Sequence, residues 1–171
     1  MFIRRTLCKR DGITVKYIVF EGKQDLEKNI EKRLKFWKQS NSCFLVMRDK
    51  DSGDCIAIKN NLIDRIKKSG QIENSVIRIA CHELESFYLG DLSAIEKGLK
   101  INGLVKLQSK SKFREPDKLS NPSEELYKLT KNKYQKVAGS RAIAPHLKID
   151  GTNKSHSFNI LLQGIKKIIK D

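Results

Sequence analysis

The sequence lacks any long hydrophobic run. Its longest apolar stretches are far shorter than the ~20 residues that a membrane-spanning helix needs; they are Tyr17–Phe20, Cys43–Met47 and Ile160–Leu162. The basic N-terminus is not followed by an apolar core of signal-peptide length. We therefore expect a cytoplasmic protein that makes no contact with a membrane.

Cysteine, histidine and glycine motifs are also scarce. None of the four cysteines forms a CxxC pair, and the three histidines are scattered, so a zinc signature is excluded. Buried free thiols are expected instead of disulfides. No glycine-rich phosphate loop is present, so we do not expect this chain to hydrolyse ATP.

Acidic residues are in short supply. The chain holds 35 Lys and Arg against 20 Asp and Glu, a net charge of +15, and the balance is +5 over residues 1–95 but +10 over residues 96–171. Such an excess favours nucleic acid as a partner, either DNA or RNA. A solvated, lysine-rich surface explains the same numbers equally well.

Apolar periodicity alternates between strand and helix through the first hundred residues. Strands are predicted at Val15–Phe20, Cys43–Met47 and Ser75–Ala80. Helices are predicted at Asp25–Gln39 and Asp54–Ser69, near His82, and at Leu92–Leu99 with Asp91 as its cap. This order indicates an α/β fold with an open, mainly parallel sheet flanked by helices.

The C-terminal part is more basic and its pattern is weaker. Lys106–Lys118 is interpreted as a loop, a helix is predicted to start at Pro122 with Asn121 as N-cap, and Ser157–Ile169 is predicted to be a closing helix. Residues 134–146 fit no pattern clearly. We predict a single domain, residues 1–171, with a core at 1–103 and a basic helical or loop extension at 104–171 packed on it.

Each predicted strand is followed by acidic residues. They are Glu21 after the first strand, Asp49 and Asp51 after the second, and Glu83 and Glu85 after the third. Since parallel strands end at one edge of a sheet, these carboxylates are predicted to converge there, where α/β proteins bind ligands. Asp49 and Asp51 are candidate ligands of Mg²⁺ or Mn²⁺. The alternative is a helix N-cap cluster, a role that we assign to Asp54.

Glu83 and Glu85 are two residues apart and cannot share one face of a helix. One of them is expected to serve the metal or a catalytic water, with Glu85 preferred, while the other complements a helix dipole. Glu21 either completes the acidic site or is an ordinary turn carboxylate.

Several cations are candidates for binding phosphate: Arg48, Lys112, Arg114, Lys136 and Arg141. Ser140, after Gly139, is interpreted as part of an oxyanion-binding turn, and the alternative is a surface loop. Tyr134 and Phe113 are candidates for stacking on bases.

Six segments together resemble a bacterial family known only as unknown-function family 4276. They are Ile18–Lys28, Arg48–Cys55, Arg78–Asp91, Lys112–Asp117, Tyr134–Ile143 and Ser155–Phe158. Such proteins look like the Toprim fold of topoisomerases, primases and overcoming-lysogenization-defect nucleases. The resemblance implies a metal-dependent nuclease in which Asp49 and Asp51 match the Asp-x-Asp pair. It also implies an ATPase partner and a setting in phage defence.

One departure from that pattern concerns Glu21, which precedes Asp49 by only 28 residues. In Toprim-like proteins a longer stretch separates the catalytic glutamate from the Asp-x-Asp strand, so this chain is expected to lack the family's first strand. Glu21 would then not be the catalytic glutamate. A non-catalytic subunit that binds nucleic acid or a partner protein, with an incomplete site, is the alternative function.

Overall fold

Two parallel strands form the sheet in the computed structural model, which describes residues 13–170. Strand β1 is Phe44–Asp49 and strand β2 is Ser75–Ala80. They pair in register, with Phe44 opposite Ser75 and Asp49 opposite Ala80. The predicted α/β class and the parallel pairing of these two strands are confirmed.

Eight α-helices lie around the sheet in the described region. They are α1 (Lys23–Lys35), α2 (Cys55–Lys68), α3 (Glu85–Leu89), α4 (Leu92–Leu99), α5 (Ser111–Arg114), α6 (Pro122–Leu129), α7 (Lys136–Ile143) and α8 (His156–Lys170). The predicted caps Asp54 and Asp91 accept hydrogen bonds from the N–H groups of Ala57 and Ala94, at 2.7 and 3.3 Å. None of these helices is long and apolar enough to cross a membrane.

Alternate strand residues point to opposite faces of the sheet, and each face packs against its own apolar cluster. Val46, Ile77 and Ile79 pack with one apolar cluster, which α1 and α2 supply through Leu26, Ile30, Leu34, Leu62 and Ile66. Leu45, Met47 and Ala80 belong to the opposite side, with Phe87, Leu92, Ile95 and Phe158. This burial on both faces explains the nearly continuous apolar runs of the two strands.

The basic C-terminal part shares that second apolar cluster. Residues on both sides of position 103 contribute to it, and those beyond include Phe113, Leu126, Tyr134, Ile143, Phe158 and Leu161. Arg78 of β2 donates from Nε to the carbonyl of Ile160 in α8 at 3.0 Å. The C-terminal helices therefore pack directly on the core that carries the edge of the sheet.

The prediction of a first strand at Val15–Phe20 is wrong. Residues 13–20 form no regular structure and no ladder with β1 or β2. Val19 is 89% exposed and Tyr17 is 42% exposed. A β-prone sequence forms a strand only where a neighbouring strand pairs with it, and this stretch pairs with no strand within residues 13–170, although Phe20 packs against the apolar cluster of α1 and α2.

The interpretation of Lys106–Lys118 as a loop is also wrong. It holds helix α5 and parts of two short 3₁₀ turns, at 105–107 and 116–118. The amide of Gln108 stabilises this winding path, because its Nε2 donates to the carbonyls of Leu89 and Phe113, at 3.2 and 2.8 Å. Its Oε1 accepts from the N–H of Leu92 at 2.7 Å. The three hydrogen bonds of Gln108 thus hold a segment whose sequence has no apolar periodicity.

Residues 136–143 are a helix and not the predicted oxyanion-binding turn. Gly139 lies within α7, and the ring of Tyr134 occupies the space that a Cβ at this position would need. Tyr134 and Phe113 are only 2% and 3% exposed, so neither ring is available for stacking on bases. The glycine therefore reports close packing in a helix rather than a turn.

Candidate functional site

The carboxyl edge of the sheet is held together beyond the strands themselves. The N–H of Lys50 donates to the carbonyl of Ala80 at 2.9 Å, and the N–H of Asp51 donates to the carbonyl of His82 at 2.8 Å. Asp51 and His82 both adopt left-handed backbone conformations, with φ of 52° and 59°. Such strain in non-glycine residues is typical of functional loops. The two loops that follow the strands are thus fastened side by side.

Asp49 is at the centre of this edge. The pKa of its carboxyl group is raised from 3.8 to about 6, first by burial and then by the nearby charges of Glu85, Asp51 and Glu83, while Lys136 lowers it. Its side chain accepts no hydrogen bond from residues 13–170. The tertiary structure therefore places three of the other predicted acidic residues, and one predicted cation, near Asp49. The carboxylate of Asp49 itself has no hydrogen-bond donor among residues 13–170.

Glu85 is held in place by Tyr134. The glutamate is 6% exposed and begins α3, and the Tyr134 hydroxyl donates to its Oε1 at 2.8 Å. The Tyr134 hydroxyl also lies 3.1 Å from the Oγ of Ser140. Burial and the neighbouring Glu85 raise the pKa of Tyr134, which keeps its proton available for donation. Gly139 is what allows the Tyr134 ring to reach this position.

Tyr88 adds a second buried hydroxyl to this group. It packs against Tyr134 with ring centroids 6.3 Å apart. Burial raises the pKa of Tyr88 to about 12, and the nearby charges of Glu85 and Asp49 also raise it. Two protonated phenols thus lie beside the carboxylates, and α7 is coupled to the edge of the sheet through Ser140.

Glu83 faces the start of helix α6. Its Oε2 accepts from the N–H of Ser123 at 2.7 Å and its Oε1 accepts from the Ser123 hydroxyl at 3.0 Å. The expected cap, Asn121, makes no side-chain capping bond. Because a carboxylate at a helix N-terminus stabilises exposed N–H groups, Glu83 takes the helix-dipole role that was expected for one of the two glutamates.

Asp51 and Glu21 lie at the outer side of the edge. Asp51 forms an ion pair with Lys23 at 3.1 Å, and both side chains are about half exposed. Glu21 is exposed, and its backbone N–H donates to Asp25 at 2.9 Å. Glu21 is not among the main charges that shift the pKa of Asp49, whereas Asp51 is.

The candidate phosphate-binding cations occupy different surroundings. Arg48 forms an ion pair with Glu27 that ties β1 to α1, and Lys112 pairs with Glu125 at 2.6 Å. Lys136 acts on Asp49, whereas Arg141 is exposed and has no ion pair within residues 13–170. Arg114 lines a separate pocket. Of the five cations, Lys136 is the one that lowers the pKa of Asp49, which indicates that it lies near the carboxylates.

The donor set fits one kind of metal site and not another. In the part of the chain from 13 to 170, no group of three or more His, Cys, Asp and Glu side chains has the geometry to hold a metal ion. An all-protein metal cage is therefore not formed there. Mg²⁺, however, is commonly bound by one or two carboxylates together with water and substrate phosphates. Asp49 with Asp51 fits that second kind of site.

The comparisons with known proteins agree with the family expectation. A family model described as a domain of unknown function, DUF4276, matches residues 3–166. The chain belongs to this family. No curated protein and no solved structure matches the chain.

Two residues of the site were not found by sequence reasoning. Tyr134 was assigned to base stacking, and Ser123 was not considered beyond its place in a helix start. Each binds a glutamate 40 or more positions away in sequence. The one signal that could have indicated the role of Tyr134 is Gly139 five residues later, since a glycine inside a helix often allows a bulky group to approach.

Proposed function

We propose that this protein is a Mg²⁺-dependent nuclease that hydrolyses phosphodiester bonds in nucleic acid at the carboxyl edge of its sheet. The observation that carries the proposal is the carboxylate of Asp49, which has no hydrogen-bond donor in the described region and is surrounded by three further acidic side chains. The three neighbouring carboxylates make it harder for Asp49 to carry its charge, and a divalent cation would offset that repulsion.

Asp49 and Asp51 would hold the cation, which supplies charge neutralisation on the phosphate and a more acidic bound water. Glu85, held by Tyr134, strengthens the negative field at this point. Lys136 is the positive charge near Asp49, and it is available to a phosphate oxygen once a cation neutralises the carboxylates. The position of the site, at the ends of parallel strands, is the usual one for ligands in open α/β sheets.

The relation to Toprim nucleases, the Mn²⁺ alternative and an ATPase partner in a defence setting are part of this proposal. They are supported by the resemblance of the six segments and by the Asp-x-Asp spacing at the end of β1. Cytoplasmic location belongs to it as well.

A second candidate is a non-catalytic subunit that binds nucleic acid or a partner protein. The observation in its favour is that three of the four carboxylates already have donors: Glu83 from Ser123, Glu85 from Tyr134 and Asp51 from Lys23. Asp49 is the one of the four with no donor among residues 13–170. In this case the positive surface remains and the chemistry is lost.

The experiment uses labelled single-stranded DNA, duplex DNA and RNA with Mg²⁺, Mn²⁺ or a chelator. We expect divalent-dependent cutting that falls at least about a hundredfold in Asp49→Asn and in Asp51→Asn. Asp64→Asn is the matched control, because Asp64 is an exposed carboxylate on α2. Calorimetric titration with Mg²⁺ gives a readout independent of activity. Salt-sensitive binding without cutting in any metal, and without Mg²⁺ binding, would favour the non-catalytic subunit.

A further inference from the structure

A surface pocket of about 640 Å³ lies outside the acidic edge. It is formed by the turn after α4, the region around α5 and the segment before α8, and it is lined by Val105, Lys106, Gln108, Ser109, Arg114 and Lys154. No carboxylate is among these lining residues. The charged residues of the pocket are therefore all positive, and Val105, 50% exposed, is an apolar part of its wall.

The walls of this basic pocket are fixed to one another by hydrogen bonds. Gln108 joins the carbonyls of Leu89 and Phe113, and so ties α3 to α5. The N–H of Lys154 donates to the carbonyl of Gly90 at 2.9 Å, which attaches the third wall to the same corner. The three cationic side chains thus extend from a backbone that is held in one arrangement before any ligand arrives.

Lys106, Arg114 and Lys154 form no ion pair within residues 13–170. Acidic residues near these cations in sequence already have partners: Glu115 pairs with Lys118 at 2.7 Å, and Asp150 accepts from the N–H of Thr152 at 2.9 Å. Glu96 lies beside the pocket wall, where it accepts from the N–H of Val105 at 3.0 Å. Three positive charges thus line one pocket without an ion-pair partner among residues 13–170, and they repel one another. An anion relieves that repulsion.

We propose that the basic pocket is a phosphate-binding site, with Arg114 as the bidentate donor and Lys106 and Lys154 as the neutralising charges. Guanidinium groups match the geometry of two phosphate oxygens, whereas lysines act as point charges. The side chain of Ser109 adds a hydroxyl donor. The site does not depend on the acidic edge being catalytic.

The volume of the pocket indicates more than a bare anion. Ligand sites for small molecules typically measure about 300–1,000 Å³, well above the space that one phosphate fills. The phosphate is therefore carried on a nucleoside or within a nucleic-acid strand, and Val105 offers an apolar surface to the attached group. These two sources share one chemistry and are separated by the experiment.

The test measures binding of inorganic phosphate, a mononucleotide and a fluorescein-labelled single-stranded oligonucleotide to the full chain. The variant is Lys106→Gln/Arg114→Gln/Lys154→Gln, and the matched control is Lys59→Gln/Lys67→Gln/Lys68→Gln, which removes the same charge from exposed positions of α2. We expect the pocket variant to bind at least about tenfold more weakly and to show a salt dependence shallower by about two phosphate contacts. The control should change by less than about threefold.

Competition by the mononucleotide indicates a small nucleotide as the ligand, and oligonucleotide binding without such competition indicates a strand; either supports the site. Equal weakening of the pocket variant and the control would overturn it, because only overall charge would then matter. Unchanged binding in the pocket variant would overturn it too. All binding is measured with a chelator present, so it does not depend on divalent-dependent cutting, which separates this result from the fate of the proposed nuclease.

Discussion

The acidic edge and the basic pocket both contain several charges of one sign, but they differ in whether those charges have partners within the protein. At the edge, Glu85, Glu83 and Asp51 each have a donor from a distant element, supplied by Tyr134, Ser123 and Lys23. In the pocket, the three cations are exposed and have no partner in the described region. Water screens exposed charges, whereas partly buried ones need built-in donors.

This difference indicates at which of the two sites a substitution should change the free energy of unfolding. Charges at the edge interact with the core through Tyr134 and Gly139, so substitutions there should change the free energy of unfolding. Substitutions in the pocket should change binding and leave stability almost unaltered. Four predictions test that contrast, in order of decreasing effect on stability.

Gly139→Ala should destabilise the protein by about 2–3 kcal/mol, because the new Cβ would clash with the ring of Tyr134 and force it away from Glu85. The measurement is urea unfolding followed by circular dichroism. The sign is informative by itself, since Gly→Ala at an unhindered helix position stabilises by about 1 kcal/mol. A stabilised variant would show that the ring does not need this space.

Tyr134→Phe should cost about 2 kcal/mol, because it leaves the buried Glu85 carboxylate without its hydroxyl donor. The same unfolding experiment applies, with Tyr127→Phe as the control at a tyrosine that is 43% exposed. Equal effects of the two substitutions would mean that the hydrogen bond to Glu85 contributes nothing specific.

Asp49→Asn should stabilise the protein by about 1 kcal/mol at pH 8, a value reduced for solvent screening at this partly buried position. The pKa of Asp49 is raised from 3.8 to about 6 on folding, so the folded state holds the proton more tightly. Stability from this group is present below pH 4 and is lost as the pH rises through about 6.

The gain from Asp49→Asn should therefore disappear at pH 4, as measured by unfolding at both pH values beside Asp64→Asn. Millimolar Mg²⁺ should raise the melting temperature of the natural protein but not that of Asp49→Asn. A destabilised Asp49→Asn at pH 8 would contradict the idea that the edge carries uncompensated charge.

The pocket variant Lys106→Gln/Arg114→Gln/Lys154→Gln should change the free energy of unfolding by less than about 0.5 kcal/mol. Thermal melts of this variant and of the α2 control should coincide. A large loss of stability would place these cations among the residues that hold the fold, and would remove the contrast with the acidic edge.

Local patterns were informative where the chain is periodic. The strand at 75–80, the caps Asp54 and Asp91, and the parallel pairing were all predictable, because each depends on neighbouring residues or on alternation of apolar side chains. The strand at Val15–Phe20 was predicted wrongly, since its residues are β-prone but pair with neither β1 nor β2. The helix at 136–143 was missed because a glycine and small residues give little periodicity.

By itself the sequence determined the family, the α/β class and the presence of acidic residues directly after β1 and β2. Only the tertiary structure decided what each of those acids contacts: Glu83 binds α6, Glu85 binds Tyr134, and the Asp49 carboxylate has no hydrogen-bond donor among residues 13–170. It also brought Lys106, Arg114 and Lys154 into one pocket. The physical reason is that chain-local patterns fix backbone direction, whereas the partners of a charge are chosen by packing between segments far apart in sequence.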